Sequence, residues 1–254
     1  MKTSVRESPP TTSQKSVDAA RVQKADSAWK PLYQIGGAAA LLVVVVYVIQ
    51  MIVFVVSPPP GTVIGYFTLF HRNVLLGLLN LDLLSLADYV LFIPMFLALS
   101  VALRRVSPSF IAIALTSALV GIATYFASNT AFAMLSLSTQ YAAATTEAQR
   151  SLVMAAGQAM LATFQGTAFN VSYVLLSIAP LIISAVMLRS NVFGKVTAYV
   201  GIVASAIGLG LFVPAIGVFL SLMSIIGLII WYLLIARRLF QIAQDGSKKE
   251  INHE

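Results

Sequence analysis

Apolar runs long enough to cross a bilayer, about 20 residues for a hydrocarbon core about 30 Å thick, recur along the chain at about 35–56, 81–103, 109–130, 168–188, 196–212 and 216–236. The last two are separate spans, because one helix over 196–236 is about 60 Å long, twice the core. The segment GLGLFVPAIG, with Gly208, Gly210, Pro214 and Gly217, supplies the break. The pattern predicts an all-α polytopic membrane bundle of six transmembrane helices.

Two stretches exceed what spanning needs: 31 residues separate Arg72 from Arg104, and 38 separate Arg150 from Arg189. Each predicts an extra element on the outer side before its span begins. In TTEAQRSLVMAAGQAMLATFQ, Thr146 with Gln149 three residues on makes a helix-start signal. Apolar positions at Leu152, Val153, Ala156, Met160, Leu161 and Phe164 follow it. This predicts an outer-side amphipathic helix before the fourth span, continuous with that span if Ser151, Gln158, Gln165 and Ser172 form one seven-residue polar stripe. SPPPGTVIGYFTLFHRN reads as a Pro-broken loop and a short interfacial segment. ALSVALRRV and YLLIARRLF look alike, but each is an apolar end followed by an Arg pair, so topology accounts for them without an internal repeat.

Charge sets the orientation. Six spans place both tails on one side, and putting that side in the cytoplasm keeps fourteen of the sixteen Lys and Arg inside, with Arg72 and Arg150 outside. The composition agrees, with 59% hydrophobic and 10% charged residues where soluble domains carry about 25% charged. Residues 1–34, rich in Ser, Thr, Pro and mixed charges, read as a disordered cytoplasmic tail without the apolar core of a cleaved leader. Residues 35–240 then form the membrane domain and 241–254 a second cytoplasmic tail. The net charge of +7 is scattered at the ends of apolar runs instead of lining one face with aromatics, which argues against nucleic acid as a partner. Cysteine is absent, so disulfides and thiol chemistry are excluded.

Several stretches carry a family resemblance: WKPLYQIGGAAALL, LLGLLNLDLLSLADYVLFIPMFLALSVALRR, FASNTAFAMLSLSTQYAAATTEAQR, GQAMLATFQGTAFNVSYVL and IIWYLLIARRLFQIA. Together they cover most of residues 29–243. The chain resembles a family of uncharacterised bacterial membrane proteins, domain of unknown function 4386. The resemblance implies a helical membrane fold of about this size in the bacterial cytoplasmic (inner) membrane, and no activity.

Within the spans the candidate chemistry is acidic. Counted from Arg104, Asp88 lies about 24 Å up its helix and Asp82 about 33 Å, in the outer third of the core and near the outer interface. A carboxyl at such depth is costly to insert, so Asp88 must face protein or water. The two aspartates differ by about 120° in direction and do not stack. Asp82, Ser85 and Tyr89 share a face. Tyr47 and Gln50 in the first span, Thr124, Ser128 and Asn129 in the third, and Gln165 and Ser172 before and in the fourth lie at similar depth. They predict a polar pocket opening outward, lined by spans one to four.

In that pocket Asp88 is the candidate proton or cation site with Asp82 at its mouth, and Arg72 is the candidate counter-charge. His71 beside Arg72 reads as a solvated loop residue, and Pro94 as a kink in the second span. Gly201 with Ser205, and Ala204 with Gly208, have the spacing of close helix packing. The sequence lacks HExxH, GxSxG and a Gly-rich phosphate loop, and places no cluster of metal ligands inside the spans, so enzyme chemistry, metal and cofactor are not expected. Two main readings follow: a small proton- or cation-linked transporter or permeation protein with the lipid bilayer and a small ion or polar solute as partners, or a non-catalytic scaffold or sensory partner whose polar cluster only locks helices together. A third, ranked last, is an enzyme acting on lipid or another apolar substrate at the outer surface, with Tyr89, Tyr47 or His71 as the second group beside Asp88.

Overall fold

The structure is a computed structural model that describes residues 28–251. The expected tail over 1–34 lies outside the described residues up to position 27. From Lys30 onward it is helix. The described chain is helical without strands, and six helical segments are long and apolar enough to cross a membrane. It is a multi-pass, all-α membrane protein.

The spanning helices are α1 (Lys30–Val56), α4 (Leu83–Leu103), α5 (Pro108–Ser128), α8 (Thr167–Leu188), α9 (Lys195–Leu209) and α10 (Gly217–Ile251). Between them stand α2 (Val63–Arg72), α3 (Val74–Asn80), α6 (Ala131–Ala143) and α7 (Glu147–Phe164). Prolines in the first turn start α1 and α5, where a missing N–H costs nothing. Between α9 and α10 the chain runs through a 3-10 turn, Gly210–Phe212, then Pro214 and Ala215 at φ 68°. The break therefore falls in the Gly- and Pro-rich segment that the sequence marks. The last helix runs on through Ile251, so residues 241–251, expected in a tail, extend it.

The six spans close into a ring in chain order: α1 packs on α4, α4 on α5, α5 on α8, α8 on α9, α9 on α10, and α10 returns to α1. At one end lie the basic residues. The Arg104 guanidinium sits 5.2 Å from the centre of the Trp29 ring, and Arg238 and Lys195 donate to the backbone carbonyls of Val192 and Leu188. In this half the centre of the ring is filled by large buried side chains: Phe96, Leu99 and Leu103 of α4, Met187 of α8, and Trp231 and Leu239 of α10. Small residues set the spacing in α9, where Gly201, Ala204, Ser205 and Gly208 are all buried. A side chain at Gly201 meets Ser184 Oγ and Trp231 Nε1, so α8, α9 and α10 touch there almost backbone to side chain.

The opposite end carries a helical cap. Thr62 caps α2 by accepting from Gly65 N at 3.2 Å, and Asn73 caps α3 by accepting from Leu76 N at 3.0 Å. At the start of α7, Thr146 accepts from Gln149 N while Gln149 accepts from Thr146 N, the reciprocal capping the sequence signals. Val63, Phe67, Phe70, Leu81, Met134 and Phe164 form a second apolar core that joins these short helices. The cap is larger than the sequence suggests, because α6 is a helix of its own; the expected interfacial segment is α2, and α3 is the extra element expected before the second span. The helix of residues 147–164 is also not continuous with the fourth span, since the chain breaks at Gln165 and Gly166. The stripe through Ser151, Gln158, Gln165 and Ser172 is therefore split: Ser151, Gln158 and Gln165 are exposed and Ser172 is buried.

Candidate functional site

In the cap-end half of the ring the middle stays open. A cavity of about 320 Å³ results, with walls from all six spanning helices. The first span contributes Tyr47 and Gln50, and α4 contributes Ser85, Tyr89 and Phe92, with Asp82 just before it. Tyr125 of α5, Tyr173 and Ser177 of α8, and Ser205 of α9 continue the wall. Ser221, Ser224 and Tyr232 of α10 close it. A second recess of about 420 Å³ lies under the cap, against Tyr66, Asn80, Gln165 and Asn170. Phe54, Asp82 and Phe169 line both spaces, so Asp82 stands at the junction between recess and cavity.

The backbone explains how Asp82 reaches that position. The chain breaks between α3 and α4, and Asp82 sits there at φ 59°, ψ 36°, a left-handed conformation that Asp tolerates better than most residues. The break frees carbonyls that a continuous helix uses internally, and neighbouring spans supply donors for them. Gln50 Nε2 donates to Leu79 O at 3.3 Å, and Asn129 Nδ2 donates to Leu81 O at 3.0 Å. Asn80 Nδ2 donates to Leu76 O at 3.0 Å and to Ser57 Oγ at 3.3 Å. Two amide side chains from neighbouring spans thus clamp the break, while Asn80 bonds back within α3 and across to Ser57. The Oε1 of Gln50 remains without a hydrogen-bond partner.

Asp88 has a different surrounding. It is 1% exposed, one turn and a half beyond Asp82, and sits in the wall behind the lining residue Tyr89 instead of in the cavity. Its Oδ1 has no hydrogen-bond partner, and it lies within electrostatic reach of Tyr47, Tyr89 and Tyr232. No ion pair joins Arg72 to Asp82 or Asp88; Arg72 is exposed on α2. Both carboxyls are without a basic partner among the described residues.

Of the other sequence candidates, Ser85, Tyr89 and Gln50 line the cavity, Gln165 lines the recess, and Ser172 is buried beside the Tyr89 hydroxyl. Asn129 clamps the α3–α4 break. The expected pocket lined by spans one to four is in fact walled by all six. The contributions of Tyr173, Ser177, Ser205, Ser221, Ser224 and Tyr232 escape a reading that follows charge. Their signal is spacing: Ser221, Ser224, Leu228 and Tyr232 follow at three, four and four residues, which marks one helix face.

Aromatic pairs stiffen the walls. Tyr89 stacks on Tyr125 with ring centres 3.7 Å apart, and Tyr47 meets Tyr232 edge to face at 6.0 Å. The Tyr173 hydroxyl donates to Gly208 O at 3.0 Å and lies 3.1 Å from Ser221 Oγ, tying α8 to α9 and α10. Among the described residues no three His, Asp or Glu side chains gather into a metal-holding group. The arrangement can bind and hold a solute, and its acidic groups can exchange a proton. No family model, curated protein or solved structure matches this chain.

Proposed function

We propose that this protein is a small proton- or cation-linked transporter or permeation protein of the bacterial cytoplasmic membrane, with both termini in the cytoplasm and the cap on the outer face. Membership of the domain of unknown function 4386 family belongs to the same proposal. The single observation that carries it is the cavity: a space inside a membrane-depth ring that meets a recess under the cap at an aspartate without a basic partner. A carboxylate placed there attracts a cation or takes up a proton, and Asp88 behind the wall is a second acceptor about 9 Å further along the helix. The filled basic half acts as the closed gate of an outward-open state.

A scaffold or sensory role draws on the amide side chains, since Gln50 and Asn129 clamp the backbone break before α4 and Asn80 ties α3 to Ser57. It accounts for those three residues and leaves the open volume around Asp82 without a purpose. Purified protein in proteoliposomes with a pH-sensitive dye inside tests the choice. Proton flux is expected from wild type, falling to the level of protein-free vesicles in Asp82→Asn and Asp88→Asn. Wild-type flux in both variants, or none from wild type under any cation gradient, removes the transport reading.

A further inference from the structure

The chemistry of the cavity wall narrows the ligand class, an inference that rests on reading the cavity as a solute site. We propose that the cavity takes a small organic cation, a quaternary or protonated amine that carries an apolar or aromatic group.

Charge is the first selector. Among the described residues Asp82 is the one carboxylate in the lining, and Lys, Arg and His are absent from it, so an anion meets repulsion and no partner. An inorganic cation fits poorly for another reason. Such an ion must replace its water shell with several oxygens at 2.3–2.6 Å, as calcium sites do. Here much of the wall is aromatic ring and aliphatic chain, and two of its serines are turned to their own scaffold. Ser177 donates to Tyr173 O and Ser224 to Ala204 O, each at 2.9 Å.

The rings instead suit a weakly hydrated cation. Two tyrosine pairs from four helices, Tyr89 with Tyr125 and Tyr47 with Tyr232, border the same space as Asp82. A cation over such a face gains about 0.5–2 kcal/mol, the larger value when water is excluded. A polar acceptor is also free: Gln50 is 9% exposed, lines the cavity, and its Oε1 lacks a partner, which suits an ammonium N–H. The volume of about 320 Å³ lies at the small end of ligand sites. Met51 of α1 and Leu222 of α10 line the cavity and are both exposed, so on the lipid side the wall thins to two apolar side chains. An amphipathic cation resting in the outer leaflet can reach the space by that side as well as under the cap.

The test uses the full-length protein in detergent with three probes: phenyltrimethylammonium, tert-butylbenzene with the same shape and no charge, and benzenesulfonate with the opposite charge. Phenyltrimethylammonium is expected to raise the melting temperature and to give saturable binding by calorimetry, and the other two are not. Asp82→Asn is expected to weaken binding about ten-fold or more. Tyr89→Phe, which keeps the ring, is expected to bind like wild type, and Tyr89→Leu to bind more weakly; this pair keeps the test independent of how Asp82→Asn folds. Equal binding of tert-butylbenzene, unchanged affinity in both Asp82→Asn and Tyr89→Leu, or no binding of the cation overturns the proposal. Proton flux without cation binding removes this ligand class and leaves transport standing, whereas cation binding without any flux does the reverse.

Discussion

Asp82 occupies a backbone conformation that costs most side-chain-bearing residues about 1–2 kcal/mol, because the Cβ crowds the following carbonyl. Asp and Asn tolerate it best after Gly. The position is therefore set by two demands at once, a carboxylate at the cavity junction and a residue that accepts φ 59°. The demands separate by substitution. Asp82→Asn is expected to keep the melting temperature of wild type, and Asp82→Ala to lose about 1 kcal/mol in chemical unfolding in detergent. Equal stability of the two variants means the backbone is not held there. Asp88 answers to burial instead. Its Oδ1 is buried without a partner, a defect that costs about 1–3 kcal/mol when uncompensated. Leu has the same branched shape without polar atoms, so Asp88→Leu is expected to raise the melting temperature while proton flux is lost. A lower melting temperature means that the carboxyl contributes to the packing of α1, α4 and α10.

At the scale of the elements, stability and site geometry share the same contacts. Removing the Asn129 amide leaves the carbonyl of Leu81, itself fully buried, without its donor. Asn129→Ala is expected to cost about 1–3 kcal/mol and to loosen Asp82, read as lower thermal stability together with faster hydrogen exchange at the start of α4. Gly201→Ala is expected to cost about 1–3 kcal/mol by overpacking, since the new methyl collides with Ser184 and Trp231. The spans themselves are legible in the sequence, because an apolar run of that length is a local property. Gly201, Ala204, Ser205 and Gly208 are legible for the same reason, as a spacing on one helix face. The cap is less so: AFAMLSLSTQYAA mixes small, polar and apolar residues, and its helix becomes apparent through packing of Met134 against Phe67 and Phe70. The cavity is the least legible. It arises where six helices close a ring, and the tyrosines that line it pass for ordinary span residues until Tyr89 meets Tyr125, thirty-six positions away.

The whole molecule is asymmetric along the ring axis, and charge and volume run in opposite directions along it. The basic residues Arg104, Lys195 and Arg238 stand at the filled end, while the cap end holds Arg72, exposed, and Arg150, paired with Glu147 at 3.2 Å. Retention of positive charge on the cytoplasmic side during insertion predicts that the filled end faces inward and that the cavity opens outward. Absence of native cysteine makes this directly measurable. Ser151 on α7 and Gln244 near the end of α10 are both exposed and lie at opposite ends of the molecule. With a single cysteine at each site in turn, Ser151→Cys is expected to react with a membrane-impermeant maleimide on spheroplasts, and Gln244→Cys after lysis. The reverse pattern turns the molecule over and places the Asp82 junction on the cytoplasmic side. The cavity then collects solute from inside the cell, which makes export, not uptake, the direction that an outward cation gradient or an inward proton gradient has to drive.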